Sequence, residues 1–521
     1  MPLVKSEASA ADLSRALEEF LVEHPQAAVL EDGRVLFDMR NAHYSLTADH
    51  GRCVLHLWSE ERNLVRTIVG LDARKSALRL KARRLGQTRP QLLQLVPDRD
   101  QRTPTTRTAS RNTYMRVLER VLTRYFADFH VGQIRTAMDL EHSFGPAYSR
   151  GTLVRGATAW AVIGVGEAET QTTIDGVLTL GILWLAFCRQ QGSGRRVIEG
   201  LKVIVPAGTS AVTRARMAWL NEKLAHWELY ELNERDEELT QLDIRDQGNV
   251  EVHLAHAFHP DATIERSRRT IERVLNLLPQ DARERAEVRP RSATEVGFLL
   301  FGLEFARVRH GLAPNSFVRQ DYVTFGAGIN ETELTPENED LFVDLVQRLS
   351  QSRFPGGAHR DPLYRLQPER WLESSLRADL PEIEPHIRPE FIYSQVPAFS
   401  AGDGGMLDLL TVNRAGRLVV LELKADEDLH LPLQGLDYWL RVRRLQREGA
   451  NVFAQHGYFP GIELSTEPPL LHLVAPALRI HPANETVLRY LSPDVQWTLI
   501  ALDEHWRQRR SVVFRKSFQS Q

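Results

Sequence analysis

The sequence predicts a multidomain protein of mixed α/β class, and three observations carry this. A chain of 521 residues exceeds what one hydrophobic core usually serves, so three or four domains are expected. The first hundred residues or so read as short runs of alternating apolar and polar positions, which is the period of strands. Further on, strand-like runs alternate with helix-like ones, an order that implies a mostly parallel sheet. The expected divisions are a small β-rich N-terminal domain over 1–100, an α/β domain over 108–255, a connecting domain of helix and strand over 260–355, and a last domain over 360–521.

In chain order, residues 10–22 read as a short helix. The runs AAVLEDGRVLFDMR, HYSLTADHGRCVLHLWSE, LVRTIVGLD, ALRLKARRL and QLLQLVP follow as strands, with turn signals at Asp32-Gly33 and His50-Gly51. This part carries Arg74, Lys75, Arg79, Lys81, Arg83, Arg84 and Arg89, either a solvated strand face or a phosphate-facing patch. Asp98–Ser110 reads as a linker and Thr113–Phe126 as a helix. Strands TLVRG and ATAWAVIGVG come next, then a helix from about Ala168 to Cys188, strand LKVIVP, helix VTRARMAWLNEKLA and strand WELYEL. A helix over 263–280, a charged linker Gln280–Thr294, strands EVGFLLFGLEFARVRHG and DYVTFGAGIN, and helix NEDLFVDLVQRLSQ lead to the loop RFPGGAHRDP.

Composition narrows the class. Hydrophobic residues make up 42% and charged residues 26%, ordinary for a soluble globular protein. The two cysteines, Cys53 and Cys188, lie in apolar stretches outside any CxxC pattern, so neither a zinc site nor a disulfide framework is expected, which suits a reducing cytoplasm. The N-terminal stretch lacks an apolar core of signal-peptide length. The longest apolar run, Val177–Cys188, is too short to cross a bilayer and reads as a buried helix, so no membrane partner is expected. A net charge of −3 leaves nucleic-acid contact to local basic patches.

The chemistry lies in the last domain. It opens on the helix QPERWLESSLRADL, where Glu369 and Glu373 are four apart and share a face. Extended FIYSQVPAFS, a glycine-rich turn AGDGG and strand MLDLLTV follow, and the turn NRAG leads into strand RLVVLELKA. Alternate residues of a strand share a face. Glu422 and Lys424 therefore emerge together between residues bound for the core, and the turn can bring Asp408 beside them. Two carboxylates can hold a hard divalent cation such as Mg²⁺ or Mn²⁺, and an amine beside them can stabilise developing negative charge. Taken alone, Glu-x-Lys is most often an ordinary strand-end ion pair. His456 and His472 lack ligand spacing and read as structural.

GMLDLLTVNRAGRLVVLELKA, with its Asp, a hairpin's length and then Glu-x-Lys, resembles the signature of the PD-(D/E)XK nuclease superfamily. In the next helix, LPLQGLDYWLRVRRLQREG, Gln434 and Tyr438 resemble the Gln-x-x-x-Tyr motif of RecB-like nucleases. Order and spacing resemble the NucS group of endonucleases, over about 150 residues and not the first 360. The resemblance implies a restriction-endonuclease-like fold and catalytic roles for Asp408, Glu422, Lys424, Gln434, Tyr438 and a helix acid, Glu369 or Glu373. Asp408 and Glu422 would be the metal ligands. Arg441, Arg443, Arg444 and Arg447 follow the Gln/Tyr face, and Arg441 and Arg444 are candidates for phosphate contact. The middle domain has a similar strand-then-helix order without the acids, with Ile163-Gly164-Val165 where Glu-x-Lys would stand. That fits a degenerate copy of the nuclease core and an unrelated α/β domain equally well.

The expected function is therefore metal-dependent phosphodiester hydrolysis, with DNA ahead of RNA as substrate. An endonuclease is favoured because no GxxxxGK[ST] motor motif occurs. The alternative is a non-catalytic nucleic-acid-binding or regulatory protein that keeps the fold as a scaffold. A homodimer is expected, since one centre cuts one strand.

Overall fold

The computed structural model describes residues 9–518 apart from 26, 32–33, 40–41, 50–51, 59–62, 75–76, 85–89, 97–103, 138, 140–142, 193–195, 249–250, 313–318, 329–331, 401–405 and 450–451. Mixed α/β architecture is as expected, but the division differs in kind. Instead of four consecutive domains there are two compact units, each built from two separate stretches: Met1–Thr103 with Phe258–Leu376, and Pro104–Ala257 with Arg377–Gln521.

In the first unit, seven antiparallel strands run between Ala28 and Val96. Strict alternation builds them: Cys53, Leu55 and Leu57 are buried while their neighbours reach the surface. The helix Ala10–Glu23 lays Leu13, Leu17 and Leu21, spaced by four, on the same core. Its N-terminus is capped by Ser9, whose Oγ accepts the Asp12 N–H. Arg79, Lys81 and Arg83 alternate with buried Leu78, Leu80 and Ala82, so these cations occupy the outer face. The expected turns at Asp32-Gly33 and His50-Gly51, and the side chains of Arg74, Lys75, Arg84 and Arg89, lie outside the described residues.

The unit's second stretch is a five-stranded antiparallel sheet with helices Arg268–Leu277 and Glu339–Ser352 in its core. The helix expected over 263–280 is divided at Ser267, and the expected linker Gln280–Thr294 is instead a helix, Gln280–Arg285, and a strand, Glu287–Ser292. Its charges read as linker polarity because their partners are distant or local ions. Arg289, for example, pairs with Glu287 at 2.8 Å and with Glu373 at 3.3 Å.

The second unit holds two sheets. The first comprises α1 (Pro104–Tyr125), β1 (His130–Val131), β2 (Tyr148–Arg155), β3 (Thr158–Val165), α2 (Val177–Gly192), β4 (Val197–Pro206), α3 (Ala211–Met217), β5 (His226–Asn233) and β6 (Glu238–Leu242). The strand order is β6-β5-β4-β3-β2-β1. Only β3–β4 and β4–β5 are parallel, not most of the sheet as expected. β2 and β3 are joined by a tight turn, which permits only an antiparallel pair, whereas α2 and α3 provide the crossovers that parallel pairs need. Helix α1 starts within the expected linker, with Pro104 in its first turn. The helix expected from Ala168 breaks at Gly176, and the one expected over 212–225 stops at Met217. The stretch Gln171–Gly192 is long and apolar enough to cross a membrane by length and composition, yet 67% of its apolar window is buried. That agrees with the core-helix reading.

The second sheet comprises β7 (Val252–Leu254), α4 (Pro368–Ile383), β8 (Ile387–Ser400), β9 (Met406–Asn413), β10 (Leu418–Leu423), α5 (Leu431–Glu448), β11 (Leu470–Pro476), α6 (Ala483–Arg489), β12 (Trp497–Leu502) and β13 (Val512–Ser517). The order is β7-β8-β9-β10-β11-β12-β13, and only β10–β11 and β11–β12 are parallel. From β8 onward the ladder directions match those of the first sheet from β1 onward, strand for strand. The two sheets share one continuous hydrophobic core.

On β11, His472 is buried with Nδ1 4.0 Å from Glu384, and burial holds its imidazole at about 4. It is therefore neutral in the fold. As pH falls below 6.5 the unfolded chain binds a proton that the fold refuses until about pH 4. The expected loss of stability is on the order of 3 kcal/mol across that window. Urea melts of the native chain and of His472→Leu at pH 7 and pH 4.5 test this. Equal acid losses in the two proteins would count against it.

Candidate active site

Strands β9 and β10 are core strands. Leu407, Leu409, Leu410 and Val412 are buried on β9, and every residue of β10 is buried. The connecting turn is set by Asn413, whose Oδ1 accepts N–H groups of Ala415 and Arg417, with Gly416 at φ 79°. It folds β10 back with Leu409 opposite Leu421, so the register brings Asp408 level with Glu422. Asp408 Oδ2 accepts the Leu423 N–H at 3.1 Å. Lys424 follows the strand's last residue but keeps the ladder, its N–H bonding the Val474 carbonyl at 3.0 Å. Its Nζ stands 3.8 Å from Glu422 and 3.7 Å from Asp428.

Glu422 is 3% exposed, and its Oε2 is buried without a hydrogen-bond partner. Burial pushes its carboxyl well above the ordinary range. The Asp408 charge adds to this, and Lys424 opposes it. Helix α5 crosses directly over this strand because it carries glycine at the contact. A Cβ on Gly435 would lie 2.5 Å from a Leu473 methyl and 3.6 Å from the Glu422 Cβ. The residue before it, Gln434, has a buried and unpartnered Oε1. The Tyr438 hydroxyl is raised by burial first and then by the charges of Glu422 and Asp408. Asp408, Glu422 and Lys424 thus come together, and Gln434 and Tyr438 lie on the helix that crosses Glu422 at Gly435.

Glu369 and Glu373 lie on the first half of α4, which belongs to the first unit. Glu373 is 3% exposed and pairs with Arg289 at 3.3 Å and Arg370 at 3.0 Å. Arg441 is buried, donates to the Ala398 carbonyl and lies 5.6 Å from the Tyr438 ring centre. Arg444 donates to Gln247 at 3.0 Å, and Arg443 donates to Gln446 and the Thr466 carbonyl. Arg447 is exposed beside Trp219. The two arginines singled out for phosphate are therefore engaged by the protein itself.

Among the described residues no group of three or more His, Cys, Asp or Glu is placed to hold a metal. Two carboxylates remain, one with an unbonded buried oxygen. That donor set fits Mg²⁺, which usually keeps several waters and takes one or two protein carboxylates.

No family model matches this chain, and no curated protein matches it.

Three further residues are not legible from sequence. Gln395 on β8 stands at the register position facing Asp408 and has φ 55°, rare for a residue with a side chain. Arg216 of α3 grips Asp437 of α5 with Nε at 2.9 Å and Nη2 at 2.7 Å. His430, just before α5, bonds Thr179 at 2.9 Å. Left-handed backbone at a non-glycine costs about 1–2 kcal/mol and concentrates at functional sites. Gln395→Gly should therefore keep or raise the melting temperature and, if the site hydrolyses phosphodiesters as the sequence leads one to expect, slow cleavage about tenfold, the value of one positioning hydrogen bond. Wild-type cleavage by that variant would remove Gln395 from the site.

Proposed function

We propose that the sheet from β8 to β13 is a metal-dependent nuclease domain that hydrolyses phosphodiester bonds, with DNA as substrate and internal cleavage as the mode. The observation that carries the reading is the unbonded, buried Oε2 of Glu422 beside Asp408. Two buried carboxylates level with each other on adjacent strands repel when both are ionised, and a bound cation would offset that repulsion. Asp408 and Glu422 would hold Mg²⁺ or Mn²⁺, which lowers the pKa of bound water and offsets charge on the phosphorane. Lys424 orients the attacking water and stabilises the negative charge that develops. Gln434 and Tyr438 contact the phosphate. The water oxygen bonds to phosphorus as one ester P–O bond breaks, and a proton passes to the departing sugar oxygen.

The test is a titration of supercoiled plasmid and duplex RNA with Mg²⁺, Mn²⁺ and EDTA. Cleavage that requires metal is expected. No product with either metal on either polymer would end the nuclease reading. One observation favours a second reading, a non-catalytic nucleic-acid-binding or regulatory scaffold: among the described residues no third His, Cys, Asp or Glu joins the two carboxylates. Metal-independent duplex binding without cleavage would support it.

A further inference from the structure

The first sheet of the second unit repeats the candidate catalytic sheet and lacks its chemistry, and two independent measures put the copies in register. In the ladders, Ile163 faces Val203 as Glu422 faces Leu473. At the helix crossings, a Cβ on Gly181 would lie 2.9 Å from Ile163 and from Leu201, as one on Gly435 would crowd Leu473, Leu471 and Glu422. Ile163 therefore stands for Glu422 and Val165 for Lys424. Counting from the two glycines, Leu180 stands for Gln434 and Trp184 for Tyr438. Arg150, opposite Ile163, takes the place of Asp408. Arg150 is 4% exposed, donates to the Ala137 carbonyl at 2.6 Å and lies 4.4 Å from the Phe144 ring centre. A buried cation has replaced one metal ligand and an alkyl group the other.

The copies also meet symmetrically. The Asn221 N–H donates to the Tyr490 carbonyl at 2.8 Å, and the Ser492 N–H donates to the Trp219 carbonyl at 2.7 Å. Leu220 and Leu491 form the bridge between these bonds. Each sequence offset is 271 residues (490 − 219, 491 − 220 and 492 − 221), the mark of a local twofold. Trp227 pairs with Leu201 as Trp497 pairs with Leu471.

We infer that the chain is its own dimer: the inactive copy fills the place of a second nuclease subunit, leaving one live centre that cuts one strand of a duplex per engagement. This rests on the nuclease reading above, and it replaces the homodimer expected from the sequence. The decisive experiment is a time course on supercoiled plasmid with Mn²⁺ and the full-length protein in excess, run alongside a mixture. In the mixture, wild-type chain is co-expressed with a ninefold excess of Glu422→Gln chain. Open circles should accumulate first, with linear DNA at least tenfold slower, and activity per wild-type chain should be unchanged in the mixture. Linear DNA formed as fast as open circles, or a roughly tenfold fall per wild-type chain, would overturn the inference while leaving the nuclease reading standing. No product of either form would instead condemn the nuclease reading and this inference with it.

Discussion

If the proposed nuclease centre is right, Glu422→Ala and Asp408→Ala are each expected to lower metal-dependent cleavage by about a thousandfold or more, since each would remove a metal ligand worth several kcal/mol of transition-state stabilisation. The loss should not be a loss of fold. Glu422 is buried, with an oxygen that lacks a hydrogen-bond partner and a carboxyl pKa raised by burial. For such a group the cost of ionisation is absent below the unfolded value near 4.5 and grows as pH rises through the folded value. Glu422→Gln should therefore be at least as stable as the native chain, with a gap that widens with pH. Gln434→Ala and Tyr438→Phe should slow cleavage and leave metal affinity nearly unchanged, because neither is a strong Mg²⁺ ligand beside two carboxylates. Calorimetric Mn²⁺ binding, melting curves and a cleavage assay on these variants separate the roles. Glu422→Ala cutting at the native rate would refute the assignment. So would Gln434→Ala if it lost Mn²⁺ as severely as Glu422→Ala.

Arg216→Ala is expected to destabilise the second unit by about 2–3 kcal/mol, the value of charge-assisted hydrogen bonds between a buried guanidinium and a carboxylate that keeps 25% of its side chain exposed. The fork is bidentate, Arg216 keeps only 8% of its side chain exposed, and its remaining nitrogen donates to the Asp175 carbonyl at 2.6 Å. The geometry also bears on chemistry. Asp437 lies between Gln434 and Tyr438 on α5, so α3 of the first sheet holds the helix that carries two candidate catalytic side chains. Arg216→Lys can reach only one carboxylate oxygen at a time. It should recover part of the stability and less of the cleavage rate, with Mn²⁺ affinity unchanged. Denaturant melts and single-turnover cleavage on both variants test this. A change below about 1 kcal/mol, as for an exposed pair, would demote the contact to decoration.

The class of the chain and the centre of its candidate site were legible in the sequence because both depend on local period. Alternation in MLDLLTV and RLVVLELKA is enough to put Asp408, Glu422 and Lys424 on one face, and a four-residue step is enough to align Gln434 with Tyr438. The same reasoning found the apolar helix at Val177 and the strands of the first hundred residues. Charged stretches misled it, as at Gln280–Thr294, because polarity looks the same whether charges face water or each other. Only the tertiary structure decided what depends on distant pairing. It decided that residues 258–376 belong with the N-terminal sheet and that Glu373 is spent on Arg289. It also decided that Arg216 reaches across 221 positions to Asp437, and that Arg150 lies opposite Ile163 as Asp408 lies opposite Glu422 in the other sheet. The physical reason is that periodicity is written into consecutive residues. Ion pairs, register between sheets and a left-handed turn at Gln395 instead follow from packing that no short window of sequence contains.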